Sequence, residues 1–76
     1  MVELSIIILN YKTQDLTILC LKSIISKFKK ELESDKLEIV VADNGSNDIS
    51  VESIRRYISS IERKNVFLIE NKENLG

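Results

Sequence analysis

The chain has 76 residues, enough for one small domain that buries only about 60% of the surface its unfolded chain exposes. Its hydrophobic fraction of 43% and charged fraction of 30% are those of a globular protein and exclude a disordered segment. With 11 basic against 12 acidic residues, it has no electrostatic basis for holding nucleic acid or an anionic membrane, and the absence of histidine excludes Ser-His or Cys-His catalysis and a histidine-ligated metal.

The first ten residues lack a basic n-region and a small-residue cleavage site, so they do not read as a signal peptide. No apolar run approaches the ~18 residues of a membrane span. The single cysteine, Cys20, excludes an intramolecular disulfide, and the expected location is cytoplasmic. Cys20 lies among Leu19, Leu21 and Ile24 and reads as a small core residue, not a nucleophile.

The first apolar run, Ser5-Ile6-Ile7-Ile8-Leu9, is short, β-branched and continuous, which is the pattern of a strand buried on both faces. Asn10 and Tyr11 end it. A helix is predicted over residues 14–33, with Thr13 or Asp15 at its start and Leu16, Leu19, Cys20, Ile24, Phe28 and Leu32 on one face. Its lysines, at 27, 29 and 30, sit where the helix dipole favours cations, and acidic residues follow at once, so this is a solvated helix end. The second run covers residues 37–42 and stops in Asp43-Asn44-Gly45-Ser46-Asn47-Asp48, a turn by composition. A second helix is predicted over residues 51–62, capped by Ser50, with Val51, Ile54, Tyr57 or Ile58, and Ile61 as its apolar stripe. The third run, Val66-Phe67-Leu68-Ile69, leads into a polar tail.

The order β-α-β-α-β implies an α/β fold with a parallel sheet and right-handed crossovers. Both helices then lie on one face and the strand order is 3-2-1. The other face, with Ile7 and Leu9, is left bare, and strand 1 has an open edge. This predicts an incomplete domain, covered by more chain or by another subunit, and a chain that self-associates or exposes hydrophobic surface.

Ligands of open parallel sheets bind beyond the carboxyl ends of the strands. Asn10-Tyr11, residues 43–48 and residues 71–76 converge there. Asp43, placed between an apolar run and a Gly turn, either accepts from a ligand N–H or makes an Asx-type turn with its own backbone. Tyr11 either stacks on a planar base or shields the core edge. No Gly-x-Gly-x-x-Gly or Walker A loop follows the first strand, and Asn10-Tyr11 does not supply the paired acids of a phosphoacceptor site.

The strand ending Leu9-Asn10-Tyr11, the element Leu21-Lys22-Ser23-Ile24, the run from Val40 to Asp48 and the tail Asn71-Lys72-Glu73-Asn74-Leu75-Gly76 together resemble family 2 glycosyltransferases, the inverting enzymes of GT-A fold. The likeness covers nearly the whole chain and is nearest to the rhamnosyltransferase-like branch. It implies a Rossmann-like half domain of three-layer type, an incomplete GT-A fold in which residues 1–76 form a single N-terminal segment. By that resemblance Asp43 accepts from the base N–H of a UDP- or dTDP-sugar and Tyr11 packs on the base. Leu9 and Asn10 line the pocket, Gly76 is the glycine of the base-side loop, and Ser46 and Asp48 are turn and capping residues. Full-length relatives hold a divalent metal, Mg or Mn, on an Asp-x-Asp motif that this chain lacks, as it lacks the catalytic base. The chain alone is therefore expected to be inactive as a transferase. The competing expectation is a small non-catalytic α/β module that self-associates or binds a protein through its open sheet face.

Overall fold

The computed structural model describes residues 2–45 and 49–71. The elements are β1 (Leu4–Asn10), α1 (Gln14–Lys27), α2 (Lys29–Glu33), β2 (Leu37–Asn44), α3 (Ile49–Ile61) and β3 (Val66–Asn71). The strands form a parallel sheet ordered β1-β2-β3, with β2 in the centre, as the alternation of strands and helices requires. No helix of the described residues is long and apolar enough to cross a membrane.

The strands outrun their apolar cores. Asp43 and Asn44, expected in a turn, continue β2, where Asp43 pairs with Asn10 on one side and with Glu70 on the other. The ladder extends because the buried Asp43 side chain has a polar partner, so burying it need not leave an unpaired charge.

The helix expected over residues 14–33 is broken at Phe28, whose φ of −114° and ψ of 33° leave the helical region. No Gly or Pro stands at the break. The bend still lets Phe28 and Leu32 both join the core, Leu32 with 1% exposure. α2 then ends in a Schellman motif. Asp35 takes a left-handed φ of 60°, its N–H donates to the Leu32 carbonyl (3.2 Å), and the Lys36 N–H donates to the Glu31 carbonyl (3.0 Å). Asn65 Nδ2 adds bonds to the carbonyls of Leu32 (2.8 Å) and Leu37 (3.0 Å), tying this turn to the start of β3.

The expected stripe of the first helix is corrected at its start, while Ile24, Phe28 and Leu32 pack in the core as expected. Leu16 (68% exposed), Leu19 (62%) and Cys20 face outward, so Cys20 is not a core residue. The inward face is Thr17, Leu21, Ile24, Ile25 and Phe28, an equally helical spacing. This face buries Leu21 with Ile24, Ile25 and Phe28, and it also brings the Thr17 hydroxyl to Asn10. In α3 the stripe is as expected, with Val51 and Ile54 buried and Tyr57, Ile58 and Ile61 half-buried. The helix begins at Ile49, so Ser50 lies inside it and is not the N-cap.

Leu21, Leu32, Ile54, Ile39, Val41 and Val66 form a single core between the helices and one face of the sheet. Strand alternation puts Ile6 and Ile8 into that core and leaves Ile7 (64%) and Leu9 (76%) bare on the opposite face, with Ile69 (47%) across the sheet. On the outer side of α3, Arg55 donates to Glu52 (2.6 Å) and Glu70 (2.5 Å). The bond to Glu70 holds its guanidinium above the usual arginine range, but pairs this exposed add little stability.

Candidate nucleotide site at the strand ends

The carboxyl end of the sheet opens into a cleft of about 450 Å³ lined by Leu9, Asn10, Tyr11, Thr13, Ala42, Asn44 and Asn71. Three of the residues expected at the site, Leu9, Asn10 and Tyr11, are in this wall. Leu9 and Ala42 contribute from the bare face of the sheet. Tyr11, 43% exposed, presents an aromatic surface at the rim, with the Lys12 ammonium 5.2 Å from its ring centroid. Lys12 takes a left-handed φ of 56°, which turns the chain sharply from β1 toward α1.

Asn10 connects the cleft to the interior. It is wholly buried, and its Nδ2 donates to Asp43 Oδ1 at 2.8 Å. Its Oδ1 accepts from the hydroxyls of Thr17 (2.6 Å) and Thr13 (3.1 Å). Thr17 (3% exposed) and Asp43 (1%) are buried with it. The strand register brings Asn10 opposite Asp43, and the helical turn that follows Thr13 brings Thr17 over both. Asp43 is therefore joined to the cleft through Asn10 and is not itself among the residues of its wall.

Gly76, Ser46 and Asp48 lie outside the described residues. The sequence reading did not anticipate Thr17, nor Ala42, Asn44 and Asn71 as cleft residues. Of the two alternatives for the helix start, Thr13 and Asp15, Thr13 occupies the N-cap position of α1 and Asp15 lies in its first turn. The Thr13 side chain makes no cap bond and serves Asn10 instead. The signal for Thr17 is a polar residue on the stripe with Leu21, Ile24 and Phe28, legible only once that stripe is known to face inward.

Among the described residues, no group of three or more Asp, Glu, Cys or His side chains is placed to hold a metal ion. The donor set for the divalent cation implied by the resemblance is not formed by these residues, and no step is derived through it.

No curated protein and no solved structure matches the chain. The model of one family, glycosyl transferase family 2, matches residues 5–76, a span that includes every residue lining the cleft. A parallel half-sheet with its cleft at the carboxyl ends, reached by a family match over nearly the whole sequence, fixes the assignment: the chain belongs to glycosyl transferase family 2.

Proposed function

We propose that this chain forms the nucleotide-binding part of a glycosyltransferase that moves a sugar from a nucleotide-diphosphate donor to an acceptor. The observation that carries the reading is the cleft at the strand ends, walled by Leu9, Asn10 and Tyr11 and backed by the Asn10–Asp43 pair. Family membership supplies the reaction class. The donor is a UDP- or dTDP-sugar, and the chain belongs to the inverting, rhamnosyltransferase-like branch of the family.

In this reading Tyr11 stacks on the base, Leu9 and Asn10 form the pocket wall, and Asp43 accepts from the base N3–H. Gly76 closes the base-side loop. Because Asp43 is 1% exposed, the base edge reaches it only by displacing the groups that now cover it. A carboxylate that accepts from N3–H selects uracil and thymine over cytosine, which has no proton there. In this reading the chain's own residues hold the nucleotide of the donor at the strand ends.

Titration calorimetry with UDP and dTDP tests this. The wild type is expected to bind, and Asp43→Asn, which keeps the bond from Asn10, to weaken binding by about tenfold or more. No binding at millimolar nucleotide, or equal binding by the variant, defeats the reading.

A second reading is a non-catalytic module that pairs through its bare sheet, and the exposure of Ile7, Leu9 and Ile69 favours it. Self-association without nucleotide affinity would select that reading.

A further inference from the structure

We infer that the bare sheet face docks a second copy of this chain, stacked face to face with its strands antiparallel to the first. This rests on the reading of the bare sheet as a pairing surface, and it commits that surface to one partner and one geometry.

Strand alternation puts Ile7, Leu9, Val40, Ala42, Phe67 and Ile69 on this face, in register from strand to strand. None of the six belongs to the core on the helix side. The two ends of the face differ in charge. The amino end is acidic, with Glu3 and Glu38. The Glu3 N–H donates to the Lys36 carbonyl (2.8 Å), which holds Glu3 in line with β1, and the Ser5 hydroxyl donates to Glu38 beside it. At the carboxyl end the described strand residues on this face are the amides Asn44 and Asn71, and the charge nearby is the Lys12 ammonium over the Tyr11 ring.

Two apolar sheets stack about 10 Å apart, with their strands nearly aligned. A two-fold axis lying across the strands lays β1 over the reversed β1 of the second copy. Centred on Ile7, it sets Glu3 above Tyr11 and Lys12 of the second copy, and symmetry repeats the match at the other end. A parallel stack would instead bring the acidic ends together. An unrelated partner would have to carry this charge order in reverse, whereas a second copy carries it already. The docked face includes Leu9 and Ala42, which also wall the cleft, so a seated copy covers the cleft and competes with a nucleotide there.

Sedimentation of the purified chain over a concentration series into the millimolar range tests this, with Glu3→Lys, Lys12→Glu and the double reversal beside wild type. Wild type is expected to form a dimer and nothing larger. Each single reversal sets like charges at both ends of the interface and is expected to weaken the dimer about tenfold or more. The double reversal restores opposite charges and is expected to return to within about threefold of wild type. Added UDP is expected to shift wild type toward the monomer. A wild type that stays monomeric or grows into open-ended aggregates overturns the inference, as do single and double reversals that weaken pairing alike. A dimer that binds UDP without dissociating shows that the second copy does not lie over the cleft and overturns this geometry. A dimer that follows the charge pattern but has no affinity for UDP defeats the nucleotide reading and supports the docking.

Discussion

Single residues here differ sharply in how much of their role a chemical type reveals. Asp43 stood out at once, because a carboxylate ending a buried strand must find a partner. Its partner was invisible, since Asn10 lies 33 positions away and only the parallel register brings the two together. Asp35 is the reverse case. It resembles an ordinary surface acid, yet it occupies the left-handed position of a Schellman motif with φ 60°. A residue with a Cβ is strained there, and glycine is not. Asp35→Gly should therefore stabilise the fold by about 0.5–1 kcal/mol, read as a rise of a few degrees in Tm. A fall in Tm would show that the Asp35 side chain contributes more than its backbone strain costs.

At the scale of elements, the strands were legible and the first helix was only half so. Runs such as Ile6-Ile7-Ile8 read as strands because they are short, β-branched and bounded by polar residues, and apolar residues at every position suit both faces to burial. The helix is ambiguous because apolar residues lie on two of its faces. The expected stripe joined Leu16, Leu19 and Cys20 to Ile24, Phe28 and Leu32; the last three do reach the core, but Leu16, Leu19 and Cys20 face outward and Thr17, Leu21 and Ile25 point inward in their place. Periodicity cannot choose between stripes of equal spacing. The tertiary fold settles it: the face that meets the sheet buries Leu21 and Ile25 and brings Thr17 to Asn10. Leu21→Ala should cost about 2–5 kcal/mol, a large part of the stability of a domain this small, whereas Leu19→Ala should change it by less than about 0.5 kcal/mol. Urea unfolding of the two variants checks this, and similar losses from both would return Leu19 to the core.

For the whole molecule, the decisive feature is a sheet with helices on one face. Ile7, Leu9 and Ile69 expose apolar surface that soluble monomers seldom leave open. The isolated chain should bind a hydrophobic dye or self-associate, and Ile7→Lys with Leu9→Lys should reduce either signal without lowering the helical content. Dye binding that ignores both substitutions would locate the sticky surface elsewhere, the outward stripe of α1 being the other exposed apolar region.

The sequence by itself determined the alternation of strands and helices, the parallel order, the bare face and the segments that meet at the strand ends. These follow from local periodicity, from turn chemistry and from the handedness of crossovers, all of which act over a few residues or a single connection. Only the tertiary structure decided which face of α1 points inward, that Asp43 and Asn44 belong to a strand, and that Thr17, Asn10 and Asp43 form one buried chain of hydrogen bonds. Those outcomes depend on which polar atoms find partners across long separations. A buried polar group has no meaning until its neighbour is in place.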